Sequence, residues 1–82
     1  MEYIMAKIGS VNRASMMKKI LEKQGIDAYL VHTPPELNKG GCSYSVKFSR
    51  SALDMVMRIA DNNRIKIKGI YADKGGEYYD IS

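Results

Sequence analysis

At 82 residues the chain has room for one hydrophobic core and no second one, because a domain of this size buries only about 60% of its unfolded surface. Thirteen Lys and Arg against nine Asp and Glu give a formal charge of +4, and an apolar share of 45% is that of an ordinary globular domain. One cysteine, Cys42, excludes an internal disulfide framework, and one histidine, His32, excludes the usual Cys/His ligand set of structural zinc, so neither metal nor cofactor is expected.

The first predicted element covers residues 2–8, where Tyr3, Met5 and Lys7 alternate with Ile4, Ala6 and Ile8 before Gly9-Ser10 ends the strand. Ser10 is a good N-cap, and Val11, Ala14, Met17 and Leu21 recur at the spacing of one apolar helix stripe. Gly25 followed by Ile26 reads as a left-handed helix end with an apolar contact beyond it. Alternation returns over 26–32, a second strand with Ile26, Ala28, Leu30 and His32 on one side, and Thr33-Pro34-Pro35 stops it. Cys42, Tyr44, Val46 and Phe48 then mark one face of a third strand. Ser49 or Ser51 caps a second helix, Ser51 with Asp54 approximating a capping box, and Leu53, Val56, Met57 and Ala60 form its stripe. After Asn62-Asn63, residues 65–71 read as a fourth strand with Ile65, Ile67 and Tyr71 on one face. Gly75-Gly76 turns the tail, 72–82, into a short hairpin or flap.

The order β-α-β-β-α-β predicts a single α+β domain over 1–82. Its expected form is a ferredoxin-like sandwich, a four-stranded antiparallel sheet with both helices on one face. In this reading strands 1 and 3 are central, side by side and parallel, and both helices end at the edge where strand 3 begins. Lys66 and Lys68 are then edge-strand charges that discourage aggregation.

The 33–41 loop draws attention because hairpin tips usually hold about two to five residues, and long loops in small domains often carry function. Gly40-Gly41 leaves the approach to Cys42 uncrowded. His32 and Lys39 are candidates to favour a Cys42 thiolate, against the partial negative charge expected from helix C-termini. Spacing leaves two readings open for each key residue. Cys42 is a reactive thiol or a small packed hydrophobe, and His32 supports that thiol or simply closes a strand.

Thr33-Pro34-Pro35-Glu36-Leu37-Asn38-Lys39-Gly40-Gly41-Cys42, set between two strands that each neighbour a helix, resembles the selenium/sulfur carrier protein-like family of small bacterial domains. The likeness runs over about residues 3–71. It implies a carrier, rather than a turnover enzyme, that holds sulfur or selenium on Cys42 as a persulfide or selenopersulfide. Thr33, Pro34 and Gly41 match the family motif, whereas Pro35 replaces an arginine and Ser43 a glycine. Implied partners are a donor protein such as a cysteine desulfurase, and an acceptor. The loop residues Thr33, Pro34, Lys39, Gly40 and Gly41 would form the docking rim.

Two other functions compete. A protein-interaction or regulatory module with a structural cysteine fits the six methionines, of which Met16 and Met55 lie off the stripes. RNA binding fits the charge and the tyrosines less well, because Ser43 and Ser45 stand where an RNA-recognition strand needs aromatics, and no basic run exceeds Lys18-Lys19. No membrane segment and no signal-peptide pattern is present, so a cytoplasmic location is the expectation.

Overall fold

A computed structural model describes residues 2–38 and 43–81. Five strands, β1 (Tyr3–Gly9), β2 (Ala28–His32), β3 (Tyr44–Ser49), β4 (Gly69–Lys74) and β5 (Glu77–Asp80), form one antiparallel sheet in the order β2-β3-β1-β4-β5. Helices α1 (Val11–Lys23) and α2 (Leu53–Asn62) touch one another and share one apolar cluster with the sheet. That cluster takes Ile4, Ala6 and Ile8 from β1, Val46 and Phe48 from β3, and Ile70 and Ala72 from β4. Alternate residues of each strand therefore face the helices. Phe48 is fully buried, and burial of a side chain that size stabilises by roughly 1.5–3 kcal/mol.

Helix α1 forms as its local signals predict. Ser10 Oγ accepts the Arg13 N–H at 3.2 Å, and Ala14, Met17 and Leu21 are fully buried. At the other end Gly25 has φ +81°, its N–H reaches the Glu22 carbonyl, and the Ile26 N–H reaches that of Leu21, both at 3.0 Å. This explains why β2 starts at Ala28 rather than at Ile26, whose N–H already serves the helix end. Val11 lies off the buried stripe, 44% exposed.

Several expectations are corrected. β1 and β3 are adjacent but antiparallel, with Tyr3 opposite Ser49 and Ala6 opposite Val46. The β2–β3 hairpin reverses the chain, so it is β2 that runs in the direction of β1, with β3 between them. The helices consequently point opposite ways. Gly9, just before the α1 cap, pairs with Tyr44 at the start of β3, so α1 begins and α2 ends at that end of the sheet.

Helix α2 is entered through a 3-10 turn, Arg50–Ala52, and Ala52 holds the cap position without a side-chain bond. The expected capping box does not form, because Ser51 Oγ lies 3.1 Å from Ser49 Oγ. The turn also resets the buried face: Val56 and Ala60 are buried with Leu53 and Ile59 beside them, while Met57 is 39% exposed.

The fourth strand begins at Gly69, not at Ile65. Arg64 adopts φ +55° and closes α2, the Ile65 N–H bonding the Ala60 carbonyl at 2.9 Å, which turns Ile65 into the core. Ile67 packs against the same cluster, whereas Tyr71 lies on the opposite sheet face. Lys66 and Lys68 precede the strand, and β4 is flanked by β1 and β5, so they are not edge-strand charges. The tail supplies the fifth strand through Gly75-Gly76, whose φ values of +63° and +92° suit a two-residue hairpin.

Candidate functional site

The sheet face away from the helices carries Tyr3, Met5 and Lys7 on β1, Ser45 and Lys47 on β3, Tyr71 and Asp73 on β4, and Tyr78 on β5. An unshielded sheet face would leave its central strand wet, yet Met5 is 1% exposed. Lys47 Nζ meets Asp73 Oδ2 at 2.7 Å and lies 5.1 Å from the Tyr3 ring centre, bridging β3 to β4 across β1. The hydrogen bond to Asp73 holds the Lys47 pKa above its ordinary value, and the same bond holds the Asp73 carboxyl below its own. The Gly76 N–H gives Asp73 a further bond at 3.1 Å.

The segment between β2 and β3 meets this face. Its 3-10 turn, Pro35–Leu37, follows an extended Pro34, and the Lys7 ammonium donates to the Leu37 carbonyl at 2.9 Å. A cleft of about 490 Å³ separates Glu36 and Leu37 from Tyr78 and Tyr79 of β5. The long loop is therefore anchored to the central strand by a charge-assisted bond.

At its neck the Thr33 N–H donates to the Ser43 carbonyl at 2.9 Å, continuing the ladder one pair beyond His32 and Tyr44. Three hydroxyls lie beneath this bond: Thr33 Oγ1 donates to Ser43 Oγ at 3.1 Å and lies 2.6 Å from Ser45 Oγ. A hydroxyl has one hydrogen. Since Thr33 gives its own to Ser43, Ser45 donates to Thr33, and the chain runs Ser45 to Thr33 to Ser43. Thr33, Ser43 and Ser45 are 7%, 5% and 0% exposed.

Of the residues singled out in the sequence, Thr33 and Pro34 begin the loop and His32 ends β2. Lys39, Gly40, Gly41 and Cys42 lie outside the described residues. The His32 ring is exposed and stacks on Tyr44 at 4.4 Å between centres, tilted by 39°. Sequence reasoning missed Lys7, Ser43 and Ser45. A signal for the serines did exist, since extending the β2–β3 pairing by one step sets the hydroxyl of Thr33 opposite that of Ser43.

The tyrosines do not make a stacking platform. Lys47 lies over Tyr3, and the Tyr71 ring packs so closely on Gly69 that an added Cβ would meet its hydroxyl at 2.8 Å. No helix among the described residues is long and apolar enough to cross a membrane.

A family model described as "Putative Se/S carrier protein-like" matches residues 3–72, which include the loop, both helices and the first four strands apart from the end of β4. No curated protein and no solved structure matches the chain. The fifth strand falls after the matched segment.

Proposed function

The chain belongs to the Se/S carrier protein-like family, and on that premise we propose that it carries sulfur or selenium on Cys42 as a persulfide or selenopersulfide. The observation that carries this reading is that the family match takes in the whole 33–42 segment, whose last residue is the sole cysteine of the chain. Loading needs no cofactor. The Cys42 thiolate attacks the outer sulfur of a donor persulfide, a new S–S bond forms, the donor's own S–S bond breaks, and the donor leaves as a thiolate. Charge and electrons balance, and delivery repeats the step toward an acceptor.

The donor is a protein such as a cysteine desulfurase, and the protein is a carrier rather than a turnover enzyme. Thr33, Pro34, Lys39, Gly40 and Gly41 form the rim that meets the donor, with His32 or Lys39 supplying positive charge for the thiolate. A single thiol suits this work, since no second cysteine is available to discharge the cargo as an internal disulfide. A reducing cytoplasm keeps such a thiol available. We read the fold as a ferredoxin-like sandwich extended by β5, on the basis of the β-α-β-β-α-β succession and the order β2-β3-β1-β4.

The test is incubation with a cysteine desulfurase and cysteine, followed by intact-mass measurement. Sulfur loading adds about 32 Da, and a selenium donor about 79 Da, to wild type but not to Cys42→Ser. An unmodified wild type, or the same adduct on Cys42→Ser, overturns the reading.

A further inference from the structure

The three hydroxyls at the loop neck are more than the fold requires. Buried hydroxyls contribute little net stability when bonded, and replacing a bonded set with apolar groups of the same shape is close to neutral. Apolar packing alone would hold β2 against β3 here, as it does at Leu30 opposite Val46. What apolar contacts lack is direction. Hydrogen bonds tie one atom to one atom, so the chain Ser45 to Thr33 to Ser43 and the backbone bond from Thr33 to Ser43 together define a single register for the strand ends.

That register bears on the site. Ser43 is held through both its carbonyl and its hydroxyl. The neighbouring residue in sequence is Cys42, and consecutive Cα atoms lie about 3.8 Å apart across a trans peptide. Whatever path 34–42 follows, its exit is fixed within one peptide of the sulfur-bearing residue. The chain is also anchored from below, since Ser45 is fully buried within β3.

We propose that Thr33 and Ser45 are positioning residues for the persulfide exchange, acting through Ser43 to present Cys42 to its donor in one register. This rests on the carrier reading and adds to it a source of precision that the thiol alone does not supply. Placement of a reacting atom to within about an ångström governs the rate of such an exchange, and a small misplacement costs up to about a hundredfold.

The experiment compares Thr33→Val, which keeps the shape and removes the hydroxyl, with Thr33→Ser, which keeps the hydroxyl, and with the triple variant Thr33→Val/Ser43→Ala/Ser45→Ala, which leaves no buried hydroxyl unpaired. Each is measured for thermal stability, for desulfurase-dependent loading by intact mass, and for the rate of iodoacetamide alkylation of Cys42 against pH. Thr33→Val is expected to load about tenfold or more slowly, and Thr33→Ser to restore the rate to within about twofold. The triple variant is expected to recover the stability lost in Thr33→Val while its loading stays low. Loading by Thr33→Val at the wild-type rate overturns the proposal, and so does a triple variant that recovers loading together with stability. Alkylation separates this inference from the carrier reading. If wild type takes no sulfur, the carrier reading fails and loading falls silent, but positioning still requires Thr33→Val to alkylate several-fold differently from Thr33→Ser. An alkylation rate and pH profile unchanged across the three variants overturns it.

Discussion

Asp73→Asn is expected to lower stability by about 1.5–3 kcal/mol at neutral pH, and the geometry of the helix-free sheet face sets that range. The Asp73 side chain is 9% exposed and that of Lys47 30%, so neither is bathed in water and neither is fully withdrawn from it. At 2.7 Å and an effective dielectric constant near 20, the Coulomb attraction is about 6 kcal/mol. Desolvation offsets much of this, leaving the net contribution of a charge-assisted hydrogen bond. Asparagine keeps the shape and can still accept from the Gly76 N–H, which isolates the charge. Asp73 has its carboxyl pKa depressed below 3.8, so its stabilisation is complete above that value and disappears as pH falls through the folded-state pKa. Lys47 is raised above 10.5, so its share is complete below that value and disappears as pH rises through the higher folded-state pKa. Urea unfolding of wild type and Asp73→Asn at pH 7 and about pH 2 should therefore give a difference at the first and nearly none at the second. Equal differences at both pH values, or less than about 0.5 kcal/mol at pH 7, would refute the argument.

Two backbone positions give predictions of opposite sign. Gly69→Ala forces a Cβ to 2.8 Å from the Tyr71 hydroxyl and 2.9 Å from a ring carbon, so the ring must lift from its strand. The expected loss is about 1–3 kcal/mol, read as a fall in Tm, and Gly69→Ala/Tyr71→Ala should not carry the same clash. Arg64→Gly relieves a φ of +55° at the end of α2 and should gain about 1 kcal/mol. A Tm at or below that of wild type would show that the Arg64 side chain contributes more than its backbone costs.

How much was legible depended on whether neighbouring signals agreed. For α1 the Ser10 cap, the Ala14, Met17 and Leu21 stripe and the Gly25 end all point to one helix, and its limits follow within a residue or so. For 65–71 the alternation of Ile and Lys reads as a strand, but a non-glycine residue in the left-handed region ends α2 and sends Ile65 inward. That is a tertiary outcome, and no local pattern announces it. The relative direction of β1 and β3 lies in topology rather than composition. At the site, prolines and glycines marked where the loop lies, while the residues that hold it did not stand out. Lys7 reads as an ordinary outward-facing lysine until Leu37 folds back to it, and Ser43 and Ser45 read as polar positions of a half-wet strand until Thr33 buries them.

The antiparallel pairing also changes the electrostatics of the proposed site. With both helices ending where β3 begins, their C-termini would together disfavour an anion there. Instead α1 begins at that end of the sheet and α2 ends there, because Gly9 pairs with Tyr44 while Lys7 pairs with Gly69. Each terminus carries about half a charge of opposite sign and is worth roughly 0.3–1 kcal/mol to a nearby ion. The two contributions therefore tend to cancel rather than add. At α2 the last carbonyls are further occupied by the N–H groups of Arg64 and Ile65 and by the Asn63 side chain. The helices are thus close to neutral toward a thiolate at this end of the sheet, and its stabilisation falls to side chains. On the carrier reading these are His32 and Lys39, so a His32→Ala/Lys39→Ala variant would place the burden of thiolate formation on backbone N–H groups alone.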